Sequence, residues 1–141
     1  MIYVKVIPAR AAKELGMKTG VQMYIPQGGP WVRPWLKSLG IKSPQWVFDG
    51  GVHIWELPYS RAGAILNAAQ KIDDVTLVRL VCRHSRCDKR CVEAVNPIWA
   101  CVCACGGENH GGDAKSWERV GETALAQEGW FERTYLLEKN R

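Results

Sequence analysis

The pattern of apolar and polar residues predicts short strands and helices in the first half of the chain. Apolar, β-branched runs predict one strand at residues 2–7 and another at 75–81, the second buried on at least one side. Residues 9–15 predict a short helix that ends at Gly16. Residues 26–34 are rich in proline and glycine and predict a loop.

A β-hairpin is the clearest local signal. Residues 45–48 and 52–57 read as strands and flank Asp49-Gly50-Gly51, a composition typical of a tight hairpin turn. A helical turn at 35–39, closed by Gly40, is predicted just before it. The sequence therefore predicts an antiparallel pair of strands in this part of the chain.

A helix is predicted after this hairpin, and a second hairpin at the end of the chain. Ser60 is placed as the N-cap of a helix that runs to about Ile72. Its apolar residues recur at helical spacing and form one face: Ala62, Ile65, Leu66, Ala69 and Ile72. Alternation in 116–127 and 130–137 predicts two strands that turn near Gly129.

Together these elements indicate an α+β fold: a small sheet with one or two helices, a Cys/His metal knuckle and a C-terminal β-hairpin. A chain of 141 residues is long enough for one domain with a core and short for two. We therefore expect one compact domain with three segments. These are an α+β part at 1–81, a metal-binding knuckle at 82–112 and the C-terminal β-hairpin at 113–141.

The cysteines are concentrated in one short segment. All six fall within 24 residues, and two of the three histidines lie in this window or just after it. Thiolates and imidazoles are the ligands that zinc takes in structural sites, usually four to an ion. The predicted metal ligands are Cys82, His84, Cys87, Cys91, Cys101, Cys103, Cys105 and His110.

The spacing of these residues bears on the number of zinc ions. His84, Cys87 and Cys91 would share one face of a helix. In an extended strand, Cys101 and Cys105 would lie about 13 Å apart, too far for one ion with Zn–S bonds of about 2.3 Å. Eight ligands match two closed tetrahedral sites, so we expect one or two ions, with two favoured.

Other chemistry stays open for the same residues. An iron–sulfur cluster needs only four cysteines. A disulfide framework fits six, but the chain starts without a secretion signal and cytoplasmic thiols stay reduced. Cys82, at the end of a predicted buried strand, also fits a core thiol. Asn109-His110-Gly111 invites a metal-dependent nuclease with His110 as general base, although the remaining histidine, His53, lies in the hairpin.

The order of residues in the knuckle is itself a recognisable motif of about 28 residues. It reads His84-x2-Cys87-x3-Cys91, then Cys101-x-Cys103-x-Cys105-x-Gly107-x-Asn109-His110-Gly111. This pattern resembles that of small, mostly uncharacterised proteins of bacteriophages and bacterial mobile elements. The resemblance implies metal binding and a phage or mobile-element setting in a bacterial cytoplasm, and it implies no known activity.

Charge and tryptophan content favour a polyanionic partner. The formal net charge is +5, and residues 1–81 hold ten Lys/Arg against five Asp/Glu. Seven tryptophans can fill a core, but Trp31 and Trp35 are candidates for stacking on nucleic-acid bases. Cations expected either to contact phosphates or to remain solvated are Lys37, Arg83, Arg86, Lys89 and Arg90.

A second resemblance covers residues 37 to about 66. The segment contains Lys37-x2-Gly40, then Trp46, the hairpin with His53-Ile54-Trp55-Glu56-Leu57-Pro58, and a helix. This order is similar to the HARP domain of annealing helicases, although no helicase engine accompanies it. That family binds DNA at junctions of single and double strands, so the resemblance implies nucleic-acid binding.

We therefore expect a zinc-containing, non-catalytic nucleic-acid-binding accessory protein of a phage or mobile element, in the bacterial host cytoplasm. No motif indicates an enzyme or a small-molecule substrate, and no apolar stretch is long enough to span a membrane. The alternative is a protein-binding module that inhibits or redirects a host protein, such as a defence factor. An iron–sulfur protein or a metal-dependent nuclease is the remaining alternative.

Overall fold

The computed structural model describes residues 1–82, 118–126 and 129–140. Seven strands lie in these ranges: β1 (Ile2–Ile7), β2 (Gly20–Tyr24), β3 (Gln45–Asp49), β4 (Val52–Leu57), β5 (Val75–Cys82), β6 (Glu118–Ala124) and β7 (Trp130–Leu137). Three α-helices accompany them: α1 (Ala9–Leu15), α2 (Val32–Ser38) and α3 (Ala62–Ile72). The strands form one sheet in the order β3-β4-β2-β1-β5-β7-β6.

The central strands β1 and β5 join the two halves of the sheet. They pair in parallel, with Ile2 opposite Val75 and Val6 opposite Arg79. β1 also pairs antiparallel with β2, and β5 pairs antiparallel with β7 along its whole length. The C-terminal hairpin of β6 and β7 therefore extends the sheet that the N-terminal residues build.

Helices lie on both faces of the sheet. α2 and α3 pack on the face that carries Val4, Met23 and Leu77, where they complete the main core. α1 packs on the opposite face, where a smaller core consists of Ile7, Ala11, Ala12, Leu80, Cys82 and Trp130. Trp55 of β4 belongs to the main core, so α2 and the inner part of the β3–β4 hairpin share one face of the sheet.

The α+β class is confirmed, but the sheet is larger than predicted. It has seven strands in place of a small sheet, and the described residues form three α-helices in place of one or two. The predicted strands at 2–7 and 75–81 and the predicted helix at 9–15 are present, and the strand pair at the C-terminus turns near Gly129 as expected. The sequence prediction missed β2, a strand of only five residues.

The start of α3 corrects the prediction for Ser60. The backbone N–H of Arg61 donates to the carbonyl of Pro58 over 3.1 Å, so a 3₁₀ turn, Tyr59–Arg61, precedes the helix and contains Ser60. No side chain caps α3, and Ile72 at its end is 37% exposed although the rest of the predicted apolar face is buried. No helix in the described part of the chain is long and apolar enough to cross a membrane.

α2 also begins earlier than predicted. It starts at Val32, inside the loop expected at 26–34, and Pro34 lies in its first turn. A proline there removes no hydrogen bond of the helix, since the first N–H groups have no partner within it. The chain leaves α2 at Gly40, whose φ of 86° suits glycine, as the sequence indicated.

Candidate nucleic-acid interface

Four aromatic rings share one face of the β3–β4 hairpin. Strand pairing sets Trp46 opposite Trp55, and Phe48 opposite His53. Opposite residues of antiparallel strands project to the same side, and residues two positions apart on one strand do so as well. The alternation of aromatic residues on the two strands therefore collects all four rings in one place.

A two-residue turn fixes this register. Asp49 pairs with Val52, and Gly50 and Gly51 between them have φ values of 58° and 88°. Positive φ at both central residues defines a type I′ turn, whose twist matches that of the strands. A slip of one residue would move every side chain to the other face of the strand, so the turn decides that the rings lie together.

The four rings form a row that runs from the core to the surface, in the order Trp55, Trp46, His53 and Phe48. Trp46 stacks on Trp55, with ring centroids 5.8 Å apart and 14° between the planes. The His53 ring lies 4.7 Å from that of Trp46 and 5.2 Å from that of Phe48. Trp55 is 9% exposed, whereas Trp46 is 58% and Phe48 68% exposed. The inner ring completes the core, and the outer rings are available to a ligand.

α2 places two cations beside these rings. Val32 and Leu36 face the main core, and Arg33 and Lys37, four residues apart, lie together on another side of the helix. The Arg33 guanidinium carbon is 5.1 Å from the centroid of the Trp55 ring, and Arg33 Nη1 donates to the backbone carbonyl of Pro44 over 3.2 Å. Two like charges at this spacing disfavour an isolated helix by a few tenths of a kcal/mol, so a bound anion would relieve the repulsion.

The hairpin, α2 and the loop before α2 enclose a groove of about 880 Å³, which we call the aromatic groove. Its lining residues are Tyr24, Ile25, Pro26, Gly28, Gly29, Pro30, Val32, Arg33, Pro34, Lys37, Trp46, Val52, His53 and Trp55. Phe48 adjoins the groove through His53. Among the described residues that line it, Arg33 and Lys37 carry charge and none is an Asp or Glu. The groove is thus largely apolar with a positive rim.

A carboxylate outside the groove holds the loop that forms one of its walls. Gln27 Nε2 donates to Asp73 Oδ2 over 3.0 Å, and the N-terminal ammonium of Met1 donates to the same oxygen. The ammonium lowers the pKa of Asp73, and the backbone N–H of Asp74 and the Gln27 amide act in the same direction. The ionised form of Asp73 is therefore the one that anchors the loop.

One residue predicted to contact nucleic acid, Lys37, lines the aromatic groove. Trp31 and Trp35 lie on the same segment but outside the lining, with their ring centroids 5.7 Å apart. Trp35 packs against the main core, and Trp31 is 40% exposed. The remaining predicted contacts lie outside the described residues: Arg83, Arg86, Lys89 and Arg90.

Of the predicted metal ligands, Cys82 lies within the described residues. Its thiol is buried in the smaller core, together with Ala11, Leu80 and Trp130. Within 1–82, 118–126 and 129–140, no three His, Cys, Asp or Glu side chains are grouped closely enough to hold a metal. The other predicted ligands fall outside these ranges: His84, Cys87, Cys91, Cys101, Cys103, Cys105 and His110.

Sequence reasoning did not assign the residues that build most of this groove. Counting outwards from the Gly50-Gly51 turn gives the pairing of Trp46 with Trp55 and of Phe48 with His53, so the shared face of these rings was encoded in the sequence. Arg33 gave no such signal, because residues 26–34 were predicted as a loop. Its place beside the rings depends on the packing of α2 against the sheet.

No protein-family model, curated protein or solved structure matches the chain. Function is therefore inferred from the chemistry of the aromatic groove and of the Cys/His knuckle.

Proposed function

We propose that this chain is a zinc-containing, non-catalytic nucleic-acid-binding accessory protein of a phage or mobile element, and that it binds through the aromatic groove. One observation carries the proposal. The exposed Trp46 ring stacks on the anchored Trp55 ring, in a groove whose charged lining residues are the cations Arg33 and Lys37.

Each part of this arrangement matches one part of a nucleotide. An exposed aromatic ring gives a base a flat surface to stack on, and one such stack contributes about 1–3 kcal/mol. Cations beside the ring attract phosphates and displace the counterions condensed on them. Arg33 rests on Trp55 and bonds to a backbone carbonyl, so its charge is held near the rings before a ligand arrives.

The knuckle is the proposed metal site, on the chemistry of its donor set. Six thiols and two imidazoles suit zinc, and Cys82, His84, Cys87, Cys91, Cys101, Cys103, Cys105 and His110 would hold it. Zinc in such a set contributes folding free energy. Arg83, Arg86, Lys89 and Arg90 would then add phosphate contacts next to the metal-bound segment.

The test is the salt dependence of binding to labelled oligonucleotides. Fluorescence anisotropy of end-labelled DNA and RNA, titrated with the full chain at several salt concentrations, measures the affinity. We expect the logarithm of the association constant to fall linearly with the logarithm of salt concentration. Absent binding, or binding that salt does not weaken, would contradict the proposal.

The sheet edge supports a second candidate, a module that inhibits or redirects a host protein such as a defence factor. β3 is the last strand at one end of the sheet order, and Trp46, Phe48 and Val52 of this hairpin are exposed. Exposed apolar side chains on an edge strand are also typical of protein-binding surfaces. A host protein captured by the chain after nuclease treatment of the lysate, and lost when Phe48 is replaced by Ser, would favour this candidate.

A further inference from the structure

We infer that the aromatic groove selects single-stranded over double-stranded nucleic acid, with one base stacked on the exposed ring of Trp46. This inference rests on the proposed function and specifies its ligand. It follows from the way the rings are presented, from their spacing along β3 and from the small number of cations.

Trp46 presents an exposed ring that two neighbouring rings support. Its ring lies nearly parallel to that of Trp55, at 5.8 Å between centroids, so this partner occupies one side. The His53 ring lies 4.7 Å from the Trp46 ring, at 43° to it, and Trp46 is nevertheless 58% exposed, so much of the ring stays open to a ligand. An exposed ring held in place by neighbouring rings is a stacking platform, and such a platform needs a base whose own face is free.

Bases in a duplex do not offer their faces. Each is covered above and below by its neighbours at a rise of about 3.4 Å, and only base edges are accessible in the grooves. Trp46 and Phe48 are two residues apart on β3, which separates their Cα atoms by about 6.6–6.8 Å, and the His53 ring contacts both of their rings. This backbone separation is about twice the rise of stacked bases, so the two exposed rings match neighbouring bases of a stretched, unstacked strand better than those of a continuous stack.

The charge of the groove agrees with a single strand. Arg33 and Lys37 can contact one or two phosphates, and no described carboxylate in the lining opposes them. A protein that makes about 6–10 phosphate contacts draws much of its affinity from charge. Within the groove itself, two cations beside a row of rings leave more of the affinity to stacking, which again requires unpaired bases.

The experiment compares the affinity of the chain for one DNA strand when it is single-stranded and when it is part of a duplex. End-labelled oligothymidine and its blunt duplex with oligoadenosine are titrated with the full chain and with the variants Trp46→Ala, Trp46→Phe and Val120→Ala. We expect wild-type protein to bind the single strand at least about tenfold more tightly than the duplex. Trp46→Ala should weaken single-strand binding by roughly 5- to 150-fold, the loss expected for one stacked base. Trp46→Phe should recover most of it.

Val120→Ala is the control, because Val120 is an exposed apolar residue of β6, the strand at the opposite end of the sheet order from β3. Its single-strand affinity should equal that of the wild type, and unchanged circular dichroism should show that each variant is folded. Equal or tighter binding of the duplex, or Trp46→Ala binding that equals wild type, would overturn the single-strand inference and leave nucleic-acid binding intact. No binding of either oligonucleotide would overturn the proposed function itself. Loss of a host protein partner in Trp46→Ala, with no oligonucleotide bound by wild type, would identify the occupant as a protein and overturn both.

Discussion

Two adjacent aspartates connect three distant parts of the chain. Asp73 accepts hydrogen bonds from the Met1 ammonium and from Gln27, which lies in the loop beside the aromatic groove. Asp74 accepts the backbone N–H of Lys139 at 2.8 Å through Oδ1, and its carbonyl accepts the backbone N–H of Ile2 at 2.9 Å. Because these contacts span the whole sequence, we expect the pair to affect stability and not only local structure.

The ionisation of Asp73 makes part of this stability dependent on pH. Its pKa is lowered in the folded chain, above all by the Met1 ammonium. The stabilisation is therefore fully present above the ordinary pKa of aspartate and is lost as pH falls through the lowered value. Asp73→Asn should melt at a lower temperature than wild type near neutral pH, and this difference should shrink as the solution is acidified to about pH 2.

Thermal unfolding of wild type and of Asp73→Asn from neutral pH to about pH 2 measures both melting temperatures and how their difference changes with pH. The control is Asp49→Asn, which removes a carboxylate from the exposed end of β3 and should leave the melting temperature near the wild-type value. A difference between wild type and Asp73→Asn that is constant from neutral to acid pH would contradict the role given to the ionised form.

Among the elements, the β3–β4 hairpin depends most clearly on its turn. Gly50 has a φ of 58° with nothing within 4 Å of an added Cβ, so a substitution there is strained by the backbone and not by a clash. Gly50→Ala should lower the free energy of unfolding by about 1–2 kcal/mol. Gly50→Asn creates the Asn-Gly pair that type I′ turns prefer and should stay within about 0.5 kcal/mol of wild type. Urea unfolding measures both, and equal losses for Ala and Asn would contradict this view of the turn.

The knuckle gives a second prediction at this scale. Structural zinc contributes on the order of 10 kcal/mol in small zinc-finger peptides, so Cys87→Ser should lose metal and melt at a lower temperature. Elemental mass spectrometry of anaerobically purified protein should find one or two zinc ions per chain in wild type.

Cys82→Ser separates the two roles open to Cys82. If Cys82 is a ligand, the variant loses metal; if it is a core thiol, the variant loses stability alone. Full metal content and melting temperature in Cys87→Ser would contradict a structural knuckle, and iron would replace the zinc assignment.

Elements with strong local signals could be predicted from the sequence. β1, β5 and α3 have long apolar patterns, and the β3–β4 hairpin has its own turn. β2 has only five residues, of which Val21 and Met23 are the buried ones, too few for periodicity to be distinctive. Composition did not predict the first residues of α2 and α3. α2 begins at Val32, inside a segment rich in proline and glycine, and a 3₁₀ turn precedes α3.

At the scale of the whole molecule, the order of the strands in the sheet could not be predicted from local sequence patterns. Ile2 pairs with Val75, and the C-terminal strand β7 pairs with β5, across separations that no neighbouring residues reveal. Arg79 and Arg133 lie opposite each other on β5 and β7 and are both buried, against the expectation for charged residues. The aromatic groove has the same origin, because α2 and the hairpin meet through their packing on one face of the sheet.

Under the proposed function, the aromatic groove binds nucleic acid through its cations and rings. The most direct measurement compares the salt dependence of oligothymidine binding by wild type, Lys37→Ala and Lys13→Ala. Both variants remove one exposed lysine, but Lys13 lies on α1, which packs on the opposite face of the sheet. We predict that the slope of log K against log salt becomes shallower by about 0.7 in Lys37→Ala, the loss of one phosphate contact on a single strand, and is unchanged in Lys13→Ala. Equal slopes for the two variants would place the binding surface elsewhere and contradict binding through the aromatic groove.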